Sequence, residues 1–179
     1  MAQLGYTTSP TAGSDSWHNY WGSQMAVSGV AGDADTMYIW AFYSGSGFNV
    51  ALGVYADDGA DSPDGQALLS DSIVLSDTGL VNVSTLESGV LNWTGIAAST
   101  KYHMGFNGQH TGSGAFNMKY DVVSGSQLYY KARTYDGTVP DPAPSTLTDY
   151  GTANQFGLYV DYTVAAAAVI YRRRHRGFA

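Results

Sequence analysis

"TMYIWAFYSGSGFNVALGVYA", residues 36–56, is the stretch of this chain that most clearly indicates β-structure. Its first part, residues 36–43, is apolar on both faces, which is typical of a central strand that is covered on each side or faces a partner. The Gly-Ser-Gly that follows predicts a turn, and residues 48–56 then alternate with the two-residue period of a strand. We expect one face of this second strand to point into the core: Phe48, Val50, Leu52 and Val54.

The same pattern recurs along the rest of the chain. Short apolar or alternating segments arrive every ~8–12 residues, with turn signals between them, which is typical of a β-sandwich. The strongest loop is "DDGADSPDG", residues 57–65, and "KYHMGFN", residues 101–107, predicts a further alternating strand. The 22 Gly and 14 Tyr also favour short strands with tight turns. The sequence therefore predicts an all-β fold, a single jelly-roll-like antiparallel β-sandwich.

The predicted organisation is one domain with two flanking segments. We assign residues 1–35 to an irregular N-terminal segment and first strand packed on the body, and residues 36–164 to the β-sandwich. The alternation that starts at Phe156 carries through the alanines as far as Ile170. Residues 165–179 are therefore expected to leave the sandwich as an extended basic C-terminal arm.

Charge and composition exclude several classes of function. Charged residues are only 13% of the chain, about half the usual share, which suggests that part of the surface is covered by a partner. All 15 acidic side chains but only four of the eight basic ones precede residue 172, so this body carries a net charge of −11 and repels nucleic acid. There is no cysteine, hence no disulfide framework and no thiolate site. The N-terminal stretch has neither the basic start nor the apolar core of a secretory signal.

A family resemblance appears between residues 48 and 107. A strand ending in Tyr, a Gly/Pro/Asp loop, a Leu-Leu strand, a Trp near mid-domain and a Thr-x-Tyr strand follow one another there. The positions that carry this pattern are Tyr55, Pro63, Gly65, Leu68, Leu69, Trp93 and Thr100 to Gly105. In these features the chain resembles a jelly-roll module common in virion proteins of tailed phages and in some bacterial surface proteins.

The resemblance implies a non-enzymatic structural protein of a phage virion. Such a protein is made in the host cytoplasm without a signal peptide and lies on the virion surface. The expected role is a head decoration or cement protein that stabilises the capsid exterior through subunit contacts. Its partners would be the major capsid protein, copies of itself in a homo-oligomer, or both, with no cofactor. The alternative is a carbohydrate- or receptor-binding module of a tail fibre or spike.

The motifs for chemistry are weak. Four carboxylates in the 57–65 loop make a weak calcium candidate, although their spacing does not match an EF-hand: Asp57, Asp58, Asp61 and Asp64. The four histidines have no recognisable metal-ligand spacing, although His103 and His110 flank a predicted turn. No nucleophile elbow is present. We therefore expect no metal and no catalysis.

Aromatic residues are the better binding candidates. We expect Trp40 and Trp93 to be core because they lie in apolar strands. Trp17, Tyr20 and Trp21 are instead candidates for a protein interface or for stacking on a glycan, since their rings combine flat apolar faces with polar edges. The pair at 129–130, "YY", is a further candidate for the same platform.

The C-terminal stretch "AAAAVIYRRRHRGFA", residues 165–179, has three possible interpretations. Its apolar run is far shorter than the ~20 residues that a membrane-spanning helix needs, and the acidic body opposes its use on DNA. We therefore expect neither membrane nor nucleic acid as a partner, and an arm that bonds to an acidic neighbouring subunit. The residues that would make this contact are Tyr171, Arg172, Arg173, Arg174, Arg176 and Phe178.

Overall fold

A computed structural model shows a chain built of β-strands, with no helix among the residues that it describes. It describes residues 1–45, 47–77, 85–112, 114–124, 127–151 and 153–166. The strands in chain order are β1 (Ala2–Gly5), β2 (Gly13–Ser16), β3 (Tyr20–Val27), β4 (Gly32–Gly45), β5 (Phe48–Ala56), β6 (Ile73–Asp77), β7 (Thr85–Ile96), β8 (Lys101–His110), β9 (Gly114–Val122), β10 (Leu128–Ala132), β11 (Thr148–Gly151), β12 (Asn154–Phe156) and β13 (Leu158–Val164).

Two antiparallel sheets pack face to face, which confirms the predicted β-sandwich. Sheet A has the order β1-β13-β4-β9-β12, with β7 also paired to β4 and β2 also paired to β9. Sheet B has the order β11-β10-β3-β8-β5-β6. The stretch that predicted the fold supplies β4, the central strand of sheet A, and β5, which is flanked on both sides in sheet B.

The core between the sheets follows the predicted alternation. Phe48, Val50, Leu52 and Val54 of β5 are all fully buried in it. Gln24 of β3 ties the two sheets together from inside this core: its Nε2 donates to the backbone oxygen of Phe156 (3.2 Å), and its Oε1 accepts from the Phe156 N–H (2.6 Å). Because this buried amide has partners at both ends, it avoids the cost of an unpaired polar group.

A second core, the outer core, lies on the opposite face of sheet B. Its fully buried members are Trp21, Ala51, Tyr55, Val139 and Ala143. The last two belong to residues 133–147, the covering segment, which is rich in proline and lies over the sheet. Tyr55 Oη donates to the backbone oxygen of Pro140 at 2.7 Å and so fixes the segment in place. Both faces of β5 are therefore buried, whereas its alternation alone predicted a half-buried strand.

Close packing in the outer core depends on a glycine. A Cβ placed on Gly105 would lie 2.4 Å from Cε2 of Tyr55, well inside van der Waals contact. The Tyr55 ring therefore lies directly on the backbone of β8, a position that no larger residue allows.

Three expectations need correction or lie outside the described residues. Residues 1–35, predicted as an irregular segment with a first strand, contain three complete strands, β1, β2 and β3, and the beginning of β4. Trp93 is core as expected, but Trp40 is only half-buried. Strand β13 ends at Val164, and the arm residues from Tyr171 to Phe178 lie outside the described residues. Nowhere in the described part of the chain is there a helix of the length and hydrophobicity that crossing a membrane requires.

Candidate functional site: an aromatic cleft at the sandwich edge

A cleft of about 250 Å³ lies where the edges of the two sheets meet. Strand β2 of sheet A forms one side, and β3, β10 and β11 of sheet B form the other. Its lining residues define what we call the aromatic cleft: Asp15, Ser16, Trp17, Tyr20, Tyr130 and Tyr150. Three of the six are tyrosines and one is a tryptophan, and Asp15 is the only carboxylate among them.

The chain turns sharply between the two sheets to place Trp17. The Trp17 N–H donates to the Phe116 carbonyl of sheet A (2.9 Å), and the Trp17 carbonyl accepts from the N–H of Tyr20, where sheet B begins (3.2 Å). Asn19 lies between them with a φ of +57°, a conformation that Asn tolerates better than most residues. This corner brings Asp15, Trp17 and Tyr20 to one opening.

Trp17 forms the floor of the aromatic cleft. Only 3% of its surface is exposed, and its ring makes edge-to-face contacts with Phe106 and Phe156 of the main core, with centroids 4.9 and 5.4 Å away. Gly22 makes room for it, since a Cβ there would lie 2.8 Å from the Trp17 ring. The floor is therefore rigid before any ligand arrives.

Three tyrosines form the walls. The Tyr20 and Tyr130 centroids are 6.0 Å apart with their rings at 62°, and those of Tyr130 and Tyr150 are 5.8 Å apart at 86°. Trp17 lies 5.5–6.5 Å from all three. Tyr20 and Tyr150 are 38% and 37% exposed, so their rings are open to solvent as well as packed. The tyrosine rings are inclined steeply to one another, so they do not form a flat platform.

Asp15 brings the only negative charge to the lining of the cleft. The Tyr150 hydroxyl donates to Asp15 Oδ2, a bond between residues 135 positions apart in sequence. Burial, followed by this hydrogen bond and the charge of Asp15, raises the pKa of Tyr150, so the phenol stays protonated. The hydrogen bond fixes the carboxylate beside the wall formed by Tyr150.

The structure separates the three aromatic residues predicted as a group. Trp17 and Tyr20 both line the aromatic cleft, together with Tyr130 from the "YY" pair. Trp21 is fully buried in the outer core on the other face of β3, so it is not available for stacking. Asp15 and Tyr150 were not predicted, because only strand pairing brings these two distant residues together.

The acidic loop does not gather its carboxylates around a common point. Asp57 Oδ2 is 2.9 Å from Nε2 of the buried His103, and Asp61 forms an ion pair with Lys101. The other two, Asp58 and Asp64, accept hydrogen bonds from backbone N–H groups. Among the residues that the structure describes, no three His, Cys, Asp or Glu side chains are placed to hold a metal ion, so the calcium candidate is not supported.

The histidines are arranged differently from the prediction. His103 and His110 both lie on β8 and do not flank a turn. His110 instead stacks on His18, with ring centroids 3.9 Å apart. Burial, with a smaller contribution from the charge of His110, lowers the pKa of His18. His18 is therefore closer to the neutral form than a free histidine would be.

Comparison with known proteins found no family whose model matches this chain and no curated protein with significant similarity.

Proposed function

We propose that this protein is a non-enzymatic receptor- or carbohydrate-binding module on the surface of a phage particle, and that the aromatic cleft is its binding site. The observation that carries the proposal is the cleft itself: four aromatic rings and one carboxylate at an open edge of a β-sandwich. The jelly-roll resemblance supplies the setting of a virion.

The chemistry of the lining supports binding. Tyrosine rings present an apolar face and a polar edge, and the partial exposure of Tyr20 and Tyr150 leaves both accessible. Trp17, the floor, is already packed against the main core, which lowers the ordering cost of association. Canonical glycoside hydrolysis needs two carboxyl groups across the scissile bond, whereas the lining supplies Asp15 alone. A binding role therefore suits this cleft better than a hydrolytic one.

A glycan array tests this function. We expect specific hits for the wild-type protein, and for Tyr20→Ala a loss of affinity of about tenfold, corresponding to ~1.4 kcal/mol. Tyr38→Ala is the matched control, because it removes a ring of the same size from the outer face of sheet A, where Tyr38 stacks on Tyr159. Equal binding by wild type and Tyr20→Ala would refute the assignment to the cleft.

A second candidate, head decoration or cement, is favoured by the outer face of sheet A. Leu86 and Val90 of β7 are 39% and 70% exposed there, beside the half-buried Tyr38 and Trp40. Neighbouring exposed apolar side chains of this kind mark protein contacts. In this role the sheet would pack on the major capsid protein or on another copy of the chain.

Binding to undecorated capsids tests the second candidate. Val90→Asp is expected to weaken binding, whereas Tyr20→Ala leaves it unchanged because the cleft lies elsewhere. A protein without residues 172–179 tests the proposed basic arm, which should lose binding or change oligomeric state at physiological salt. If wild-type protein does not bind capsids at all, this candidate is removed.

A further inference from the structure

The arrangement of rings around the aromatic cleft points to the class of ligand. We infer that the cleft holds an alkylated ammonium group, such as the trimethylammonium of a choline substituent on a surface glycan. This inference rests on the proposed function and names the chemical group that the site recognises. Three observations carry it: ring geometry, charge and size.

The ring geometry is that of a box. The walls Tyr20, Tyr130 and Tyr150 stand at 62° and 86° to their neighbours, and Trp17 closes the bottom. Steep rings with centroids about 6 Å apart can face a common point roughly 4–5 Å from each centroid, which is within the ~6 Å range of cation–π attraction. Because only 3% of Trp17 is exposed, it cannot offer a broad face to a flat pyranose, but it can close a box around a compact group.

The charge of the cleft favours a cation. Asp15 supplies a carboxylate held by Tyr150, and no Lys or Arg belongs to the lining residues. The basic side chains whose contacts the structure gives are engaged elsewhere: Lys101 with Asp61, Lys131 with Ser145 and Thr146, and Arg133 with Asp136. The chain before residue 172 is strongly acidic. A phosphate or uronic acid would be repelled, whereas an ammonium is attracted.

The size of the cleft suits a single small group. At about 250 Å³ it is smaller than the roughly 300–1,000 Å³ of pockets for drug-sized ligands. Methyl groups on the nitrogen match the aromatic walls, because they spread the charge over an apolar surface that loses little hydration on entry. An unsubstituted ammonium is more strongly hydrated, so it gains less free energy on entering the cleft.

The test compares choline with its neutral isostere, 3,3-dimethylbutan-1-ol, by calorimetric titration of the full chain. The two share shape and apolar area, so that only charge differs. We expect choline to bind about tenfold more tightly or better. Equal affinities would overturn the inference, as would failure of choline to bind.

Two substitutions assign the effect to the cleft. Tyr20→Leu keeps an apolar wall without a π face, and Asp15→Asn keeps a hydrogen-bond acceptor for Tyr150 without the charge. Both should weaken choline severalfold and leave the isostere unchanged, while Tyr20→Phe retains choline binding. Thermal unfolding of each variant confirms folding. If both variants bind choline as well as wild type does, the site is not the cleft and the inference fails.

The same titrations separate this inference from the proposed function. Glycan-array hits that depend on Tyr20, without choline binding, would leave the binding function standing and remove the ammonium as its ligand. Choline binding that depends on Asp15, without recognition of any glycan or cell surface, would support the ammonium site and remove the receptor role.

Discussion

Tyr20 and Trp21 are neighbours in sequence but belong to two different aromatic clusters. Tyr20 lies on the inner side of β3 at the sandwich edge, where it lines the aromatic cleft at 38% exposure. Trp21 lies on the outer side of the same strand and is fully buried in the outer core with Tyr55, their rings 5.8 Å apart at 78°. Strand geometry causes this separation, since successive side chains point to opposite faces.

The two clusters contribute differently to the molecule. In the outer core, the rings of Trp21 and Tyr55 are buried under the covering segment, and the Tyr55 hydroxyl is bonded to the backbone oxygen of Pro140. Burial raises the pKa of Tyr55. In the aromatic cleft, Tyr20 and Tyr150 stay partly exposed, and the Tyr150 hydroxyl donates to the carboxylate of Asp15. The first cluster therefore stabilises the fold, and the second is shaped to bind.

Substitution in the outer core should cause the greatest loss of stability. Trp21→Ala removes a fully buried indole and should lower the free energy of unfolding by about 3–5 kcal/mol, as large-to-small core substitutions do. Denaturant unfolding measures this. Tyr20→Ala is the control from the other face of β3 and should cost clearly less, because its ring is already partly hydrated. Equal losses would contradict the division between the two clusters.

Low pH should destabilise the fold on the outer-core side of sheet B, through His103. This fully buried histidine on the outer face of β8 has its pKa lowered, mainly by burial, against opposing contributions from Asp57, Asp58 and Asp61. The unfolded chain therefore takes up a proton near pH 6.5 that the folded chain still resists, so stability falls as the pH drops below about 6.5. We expect the loss to be smaller than that of Trp21→Ala, because one group titrates.

The measurement for His103 is thermal unfolding across this pH window. His103→Gln keeps a donor for Asp57 but does not titrate, so its stability should vary less between pH 7 and pH 5. His18 acts in the same direction in both proteins, since its pKa is also lowered, and it cancels in the difference. Parallel curves for the two proteins would show that His103 is not responsible.

Period-two alternation predicted the strands and their faces but not what covers them. It assigned Phe48 and its partners to the core correctly and separated them from Tyr55. It did not reveal that the covering segment returns over Tyr55, because a face that alternation marks as outer can still be buried by a distant loop. The prolines of that segment favour an extended backbone, but they do not indicate which surface the segment covers.

Only some of the residues of the aromatic cleft could be predicted from the sequence, for the same reason. Trp17 and Tyr20 are close in sequence, so a local cluster could be recognised. Asp15 and Tyr150 meet through the pairing of β2 with β9 and of β11 with β10, and by the packing of the sheets. No short stretch of the sequence indicates how such distant strands pair.

A smaller loss of stability should follow when the hydroxyl that fixes the covering segment is removed. Tyr55→Phe keeps the buried ring and removes the 2.7 Å hydrogen bond to the Pro140 carbonyl, at an expected cost of ~1 kcal/mol. Hydrogen exchange should also become faster in residues 133–147. Tyr130→Phe, which removes a hydroxyl from the cleft side of sheet B, is the control and should leave that exchange unchanged. Unchanged exchange in Tyr55→Phe would mean that the segment is held by packing alone.

The smallest loss of stability is expected from a substitution at the exposed acidic loop, residues 57–65. Lys101 and Asp61 form an ion pair with both side chains nearly half exposed, and the hydrogen bond to Asp61 raises the pKa of Lys101. The contribution of the Lys101 charge is therefore present at neutral pH and is lost as the pH rises through its raised pKa. Solvent screens such a pair, so Lys101→Met should change the unfolding midpoint less than Tyr55→Phe does, and high salt should remove the difference. A larger loss that persists in high salt would show that Lys101 holds the 57–65 loop on β8 by more than charge, and that the edge of the outer core extends to this loop.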